Sequence, residues 1–163
     1  MTLTTYITDE QDIYEVRVAM KAIVRKAIFN TLIYEGFDKD MQRAYFEYQL
    51  QMAQRCDLPV VVHDRDAHGD CFDIVIKYPE VRGVFHSFSG SAEMAKELVK
   101  RGWYISFSGV VTFKNAARVG AVAAELPQDR VLIETDCPYL APHPHRGKIN
   151  HSGYLAFTNE ALA

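Results

Sequence analysis

An apolar run that ends in a histidine decides the fold of this chain. It is the stretch Pro59-Val60-Val61-Val62-His63-Asp64-Arg65-Asp66. Continuous β-branched and apolar residues are typical of a strand that is buried on both faces of a parallel sheet. Two later apolar runs lead in the same way to a possible metal ligand, one to His86 and one to Asp136. Because the active sites of parallel α/β folds lie at the carboxyl ends of their strands, we expect these side chains to meet there.

Helical segments separate the apolar runs. The sequence predicts strands at 58–63, 81–86, 103–108 and 131–134, and helices at 67–78, 91–100 and 115–126. Strands that alternate with helices in this way indicate parallel βα units. The fold class is therefore predicted to be α/β, with roughly four βα units, which are enough for a compact α/β layer or for about half of a (β/α)8 TIM barrel.

Two helices are predicted before the first of these strands. Thr8 and Gln11 have the spacing of a capping box, and apolar residues recur behind them at helical spacing to about Phe29. A second helix is predicted over 39–55, and its apolar residues form two adjacent faces. The faces are Met41, Tyr45, Tyr48 and Met52, and Phe46, Leu50 and Ala53. Such a wide apolar arc predicts a helix that is covered on more than one side.

Length and composition limit the possible classes of protein. A chain of 163 residues predicts one domain, and its net charge of −3 argues against a broad basic surface for non-specific nucleic-acid binding. No apolar run approaches the ~20 residues of a membrane span, and the first residues do not resemble a secretory signal. Three cysteines without a close-spaced pair are typical of reduced thiols. We therefore expect a cytoplasmic protein with no membrane partner.

His63, His86 and Asp136 are the candidate metal ligands. Imidazole and carboxylate groups suit zinc, manganese or magnesium, so the expected cofactor is a divalent cation. A single histidine at a strand end can equally be a structural residue that is hydrogen-bonded to a loop. Asp66 is expected either to orient a ligand imidazole or to cap the next helix.

Three basic residues are candidates for binding a phosphate. Arg65 directly follows the first histidine, and Arg146 and Lys148 flank Gly147 in a loop beyond the last strand. Guanidinium and ammonium groups bind phosphate oxygens, although a solvated basic turn has the same composition. The small residues from Ser87 to Ser91 also precede a predicted helix and could bind an anion with backbone N–H groups.

Several segments resemble the TatD-type metal-dependent deoxyribonucleases, which are amidohydrolase-like TIM barrels. The resemblance covers roughly residues 42–150, in the order LPVVVHDRD, GVFHSFSGS, WYISFSG with TFKNA, RVLIETDCPYLAP and RGK. It implies that His63, His86 and Asp136 bind catalytic divalent metals. It also implies that Arg65, Arg146 and Lys148 lie near the substrate.

The chain departs from the family pattern at both ends. No histidine precedes His63, so the His-x-His pair of the family is absent, and Glu35 is not assigned the role of its bridging glutamate. Asn150-His151-Ser152 stands where an Asn-Glu-Pro-like sequence is expected. The chain is therefore interpreted as one domain truncated in its N-terminal half, with 1–38 a diverged helical segment and 39–163 family-like. Exposed strand edges in such a half-barrel predict a homo-oligomer.

The resulting hypothesis is a metal-dependent hydrolase that cleaves phosphodiester bonds in DNA or in a small phosphoester. Asp136 would bind a metal or act as the base towards water, and the sequence leaves both roles open. The alternative is a catalytically inactive fragment that serves as an oligomeric or binding protein.

Overall fold

A parallel sheet forms the centre of the structure. The computed structural model describes residues 38–64 and 66–163, and the backbone of residues 26–27. Within this part of the chain the strands are β1 (Lys26–Ala27), β2 (Val60–His63), β3 (Gly83–His86), β4 (Tyr104–Phe107) and β5 (Val131–Ile133). They lie side by side in chain order, and every neighbouring pair is parallel. The predicted α/β fold with a partial barrel is confirmed.

Helices connect the strands and follow the last one. They are α1 (Lys39–Cys56), α2 (His68–Val75), α3 (Ala92–Lys100), α4 (Ala117–Ala124) and α5 (Leu155–Leu162). Short 3₁₀ turns span Gly109–Thr112, Gln128–Arg130 and Ser152–Tyr154. The sequence predicts the first four helices to within a few residues but not α5, whose eight residues are too few for a clear periodic pattern. No helix in the described part of the chain is both long enough and apolar enough to cross a membrane.

Local sequence signals explain where helix α3 begins and ends. The Ser91 hydroxyl accepts the Met94 N–H at 3.2 Å, which caps the first turn. The chain leaves the helix at Gly102, whose φ of 89° is a conformation that glycine adopts without steric cost. The sequence predicts this helix over 91–100, and the structure has it at Ala92–Lys100.

The N-terminal prediction is wrong at the two residues that the structure describes there. Lys26 and Ala27 form strand β1, which pairs with Val61 and Val62 of β2, whereas a helix was predicted to continue to about Phe29. An apolar segment of mixed composition satisfies either periodicity, and pairing with the edge of β2 supplies backbone hydrogen bonds that the pattern does not reveal. The rest of the predicted first helix, and Glu35, lie outside the described residues.

Helix α1 is covered on one face only. Phe46, Leu50 and Ala53 are buried against the core, but Tyr45 and Tyr48 on the second apolar face are 51% and 47% exposed. The expectation of cover on two sides is therefore wrong for the described structure. The width of an apolar arc shows what a helix can bury, but the position of neighbouring elements decides what it does bury.

Aromatic side chains pack between the sheet and its helices. Trp103 is 2% exposed and meets the Phe85 ring edge-on, with 5.3 Å between the ring centroids. At the amino end of β3, Gly83 lies against the backbone of Val60, so β2 and β3 are closely apposed. The same register places His63 beside His86 at the carboxyl ends. Core packing at one end of the sheet therefore sets the positions of the histidines at the other.

Candidate functional site

The site begins with two neighbouring histidines. His63 ends β2 and His86 ends β3, and they are paired in the parallel register. Their ring centroids are 5.2 Å apart. The prediction that the strand ends bring these imidazoles together is confirmed by this geometry.

Two carboxylates that follow β5 flank the His86 ring. His86 Nε2 lies 2.9 Å from Asp136 Oδ1, and His86 Nδ1 hydrogen-bonds Glu134 Oε2. Glu134 and Asp136 are two residues apart, directly after β5, and both side chains reach the same imidazole. Residues that are 50 positions apart in sequence, His86 and Asp136, are therefore in direct contact.

Glu134 is itself held in place by the backbone. Its Oε1 accepts the Ser87 N–H at 2.6 Å, while the Ser87 hydroxyl lies 2.8 Å from the Ser108 hydroxyl. Ser87 has a φ of 47°, an uncommon value for a residue other than glycine. This conformation directs the Ser87 N–H at Glu134, and the carboxylate fixes the orientation of the His86 ring.

The two carboxylates also control the charge of His86. Burial lowers the pKa of the imidazole, but the hydrogen bonds and negative charges of Asp136 and Glu134 outweigh burial and raise the pKa to about 9. The two carboxylates thus favour the protonated form of the imidazole, whose positive charge offsets part of the negative charge of the cluster.

The donor atoms at His86 and Asp136 fit a divalent cation. Two ligands that each lie about 2.0–2.2 Å from one ion are separated by about 3 Å, close to the 2.9 Å between His86 Nε2 and Asp136 Oδ1. A ligating histidine usually hydrogen-bonds a carboxylate through its other nitrogen, as His86 does with Glu134. Across the described residues, however, no group of three His, Cys, Asp or Glu side chains is arranged to hold an ion. The predicted metal role of His63, His86 and Asp136 stays a prediction.

Two carboxylates in this region were not singled out from the sequence. Glu134 was assigned no role, although it lies two residues before Asp136 and both reach the same imidazole. Asp64 is buried, accepts the Ala67 N–H at 3.3 Å and lies 2.6 Å from His68 Nδ1. Asp66, to which a capping or orienting role was given, is exposed with a φ of 59°. The capping prediction is wrong, because the N-cap position of α2 is Ala67 and no side chain caps this helix.

The candidate phosphate-binding residues lie on exposed loops. The Arg146 guanidinium stacks on the Phe113 ring, 3.9 Å from its centroid, and Lys148 is exposed two residues further on. Arg65 lies outside the described residues, so its predicted role is untested. Stacking holds the Arg146 side chain near the ring while its N–H groups remain available to solvent.

Three loops at the carboxyl ends of the strands contact one another, and we call them the rim loops: residues 87–91, 108–116 and 137–151. The His143 N–H donates to the Thr112 hydroxyl at 2.8 Å, and Arg118 at the start of α4 donates to the Ser89 carbonyl at 2.9 Å. The rim loops contain Lys114, Arg146 and Lys148 but no Asp or Glu. The rim loops thus carry a net positive charge in a chain whose overall net charge is −3.

The parallel βα sheet, with a histidine and carboxylate cluster at its carboxyl edge, defines an α/β protein of the TIM-barrel class. Residues 33–163 match the family model described as "TatD related DNase". The chain therefore belongs to the TatD family, as the resemblance of its motifs implied.

Relatives from bacteria carry names that agree with this assignment. The chain is 46% identical over 127 residues to the "Uncharacterized metal-dependent hydrolase YabD" of Bacillus subtilis strain 168, with 77% of this chain and 50% of the relative covered. It is 42% identical over 127 residues to the "Uncharacterized metal-dependent hydrolase YcfH" of Escherichia coli K12, with 77% and 48% covered. The chain thus spans about half the length of the curated relatives it matches.

A solved structure supports the fold. The TatD homolog YJJV from Escherichia coli K12 superposes with a TM-score of 0.74 at 24% identity, covering 95% of this chain and 62% of that one. At this identity the match establishes the barrel-type fold, and it leaves substrate and chemistry to be argued from the residues.

Proposed function

We propose that this chain carries part of the site of a divalent-metal-dependent hydrolase that acts on phosphodiester bonds of DNA. The observation that carries the proposal is the contact between His86 and Asp136, with Glu134 behind the imidazole, at the carboxyl edge of a parallel sheet. The metal-dependent relatives and the family match support the same chemistry.

His63, His86 and Asp136 would hold the cation, which would be magnesium, manganese or zinc. When bound, a divalent cation stabilises negative charge on phosphoryl oxygens and makes a nearby water molecule more acidic. Glu134 would keep the His86 ring oriented so that Nε2 faces Asp136. Asp136 would be either a ligand or the base that takes a proton from the attacking water.

Charge provides a second argument for a phosphodiester substrate. Glu134 and Asp136 alone would repel a phosphate group, so a bound cation and the basic rim loops are both needed to attract one. Arg146 and Lys148 would bind the phosphates that flank the cleaved bond, and Arg65 would do so beside His63. A small phosphoester would need the same cation but fewer of these basic contacts.

The test is cleavage of single-stranded DNA with and without added magnesium, manganese or zinc. We expect chelation to abolish cleavage, and Asp136→Ala or His63→Ala to lower the rate by about 100-fold or more. Asp129→Ala is the matched control, because Asp129 is an exposed carboxylate outside the cluster and its removal should leave the rate unchanged. Cleavage that persists in the chelator, or in Asp136→Ala, would refute the proposal.

One observation favours the alternative of a catalytically inactive oligomeric or binding protein. In the described residues the cluster holds His86 between two carboxylates, and no three ligands are arranged for an ion. Elemental analysis of the purified protein separates the two candidates. Stoichiometric metal together with cleavage supports the hydrolase, whereas a folded, metal-free protein that does not cleave DNA at high concentration supports the alternative.

A further inference from the structure

Two serines at the carboxyl end of strand β4 are buried. Ser106 and Ser108 are each 2% exposed. Burial of a hydroxyl costs free energy unless a hydrogen bond replaces the lost contact with water. Both serines find such a partner at Ser87, the residue that follows His86: Ser106 Oγ accepts the Ser87 N–H at 3.3 Å, and the Ser108 hydroxyl lies 2.8 Å from the Ser87 hydroxyl.

The Ser108 hydroxyl does not cap the turn that follows it. Ser108 occupies the N-cap position of the 3₁₀ turn Gly109–Thr112, where a serine side chain commonly accepts a backbone N–H. No side-chain hydrogen bond caps this turn, and the hydroxyl contacts Ser87 instead. Its orientation is therefore explained by the contact with Ser87 and not by its own turn.

The backbone of β4 holds the residues on both sides of this contact. The Phe88 N–H donates to the Ser106 carbonyl at 2.9 Å, and the Glu134 N–H donates to the Phe107 carbonyl at 3.1 Å. Between them the Ser87 N–H donates to Glu134 Oε1 at 2.6 Å. The end of β4 therefore holds both the donor and the acceptor of this hydrogen bond.

Ser87 depends on such support because its backbone conformation is unfavourable. A φ of 47° is uncommon for a residue other than glycine, and such conformations persist where surrounding contacts hold them. Since the Phe88 N–H is fixed on β4, a change of Ser87 to a negative φ would tilt the Ser87 N–H away from Glu134. A hydrogen bond that holds the Ser87 side chain resists this change.

The pair of hydroxyls contributes little to stability by itself. A hydrogen bond between two hydroxyls replaces bonds that each made to water in the unfolded chain. Removing both partners together is therefore close to neutral, whereas removing one leaves the other unsatisfied. The position that the pair imposes on Ser87 explains it better than the stability that it adds.

We propose that Ser108 is a positioning residue for the candidate cation site. Through the Ser87 hydroxyl it keeps the Ser87 N–H on Glu134, and Glu134 in turn keeps the His86 ring aligned with Asp136. This inference rests on the proposed function for the identity of the ligand, a divalent cation. It goes further in assigning a role to the end of β4, a strand that supplies none of the predicted ligands.

The first readout is cation binding, measured by calorimetric titration of the purified protein with zinc, manganese and magnesium salts in turn. Hydrogen-bond partners of metal ligands typically contribute about 10- to 100-fold to affinity, and Ser108 acts one step beyond such a partner. We therefore expect Ser108→Ala to weaken binding by about 10-fold. Ser87→Ala should have the same effect, and the two substitutions together should weaken binding no further, because the hydroxyls act as one pair.

The second readout needs no metal. The Ser87 amide resonance in NMR spectra of the protein without added cation reports the hydrogen bond to Glu134. We expect this resonance to shift in Ser108→Ala, because the N–H is no longer held on the carboxylate.

Stability in urea separates positioning from a purely structural role. The variant that carries both Ser87→Ala and Ser108→Ala should unfold close to the unchanged protein, while its cation affinity stays low. Leu98→Ala is the matched control. Its fully buried side chain lies in helix α3, so this variant should lose stability and keep the cation affinity and the Ser87 resonance.

The outcomes distinguish this inference from the proposed function. If the unchanged protein binds a cation, an effect of Ser108→Ala on neither readout, or on only one of them, overturns the inference and leaves the hydrolase standing. Affinity that falls with stability in every variant, Leu98→Ala included, overturns it as well. If the unchanged protein binds none of the three cations, the proposed function is refuted. The amide resonance then decides: a shift confined to Ser108→Ala supports the positioning of Glu134, and no shift overturns it.

Discussion

The close approach of β2 and β3 predicts a large effect for Gly83→Ala. A Cβ at this position would lie 2.0 Å from the Val60 carbonyl oxygen and 3.0 Å from the Trp103 ring. Real Cβ contacts essentially never fall below 3.0 Å, so the strands would have to separate by at least 1.0 Å. The obstructing atom belongs to the backbone of a paired strand and cannot rotate away.

The expected loss follows from this separation. Hydrogen bonds such as that from Val60 N–H to the Arg82 carbonyl, at 2.9 Å, would lengthen beyond the useful range, and each contributes about 0.5–1.5 kcal/mol. Overpacking against Trp103 adds about 1–3 kcal/mol. We therefore expect the free energy of unfolding to fall by about 3 kcal/mol or more, out of a typical total of about 5–15 kcal/mol.

Urea unfolding measured by tryptophan fluorescence provides the assay, since Trp103 is the single tryptophan of the chain and lies beside Gly83. Gly69→Ala is the matched control. A Cβ there meets nothing within 4 Å, and alanine in helix α2 should stabilise the protein by up to about 1 kcal/mol. The reasoning is refuted if Gly83→Ala unfolds within about 0.5 kcal/mol of the unchanged protein.

Four further predictions concern other parts of the structure. Cys137 is exposed, so its thiol should react rapidly with a thiol reagent. Burial raises the pKa of Cys71, which should keep this thiol unreactive until the protein unfolds. The kinetics of modification would show this difference. Leu98→Ala should lower the free energy of unfolding by about 2–5 kcal/mol, measured in urea, because this side chain is fully buried. Ser91→Ala should cost about 1 kcal/mol in the same assay, because helix α3 loses its N-cap hydrogen bond. The predicted self-association should appear in light scattering as a mass above the 18.5 kDa of a single chain. Leu132→Glu places a charge at an exposed position of strand β5 and should shift the measured mass back towards 18.5 kDa.

Strand β2 was predictable because burial of successive residues, which face opposite sides of a strand, leaves a strong sequence signal. Val60 to Val62 are β-branched, and the strand that they form ends at the predicted histidine. Strand β1 was not predictable, because two residues cannot show a periodicity. Which face of α1 is exposed was also beyond the sequence, since Tyr45 and Leu50 are both apolar and only the placement of neighbouring elements distinguishes them.

Contacts between loops were the least predictable part of the site. The tripeptide from Arg146 to Lys148 indicates a basic turn, but nothing in it points to the Phe113 ring on which Arg146 stacks. The hydrogen bonds from Asn150 to the carbonyls of Pro138 and Tyr139 likewise join segments whose proximity depends on the path of the whole loop. Such contacts determine where the positive charge lies, so sequence alone could nominate basic residues without placing them.

The position of Glu134 shows where a strand pattern can predict a site and where it cannot. Glu134 lies two residues before Asp136, directly after the predicted strand, and both carboxylates reach the same imidazole. The relative register of β3 and β5, which both pair with β4, decides which nitrogen of His86 each carboxylate reaches. A shift of β5 along its own axis would move both carboxylates relative to the ring. In this register Glu134 meets Nδ1 and Asp136 meets Nε2. The pairing of both strands with β4 therefore fixes which carboxylate contacts which nitrogen of the imidazole.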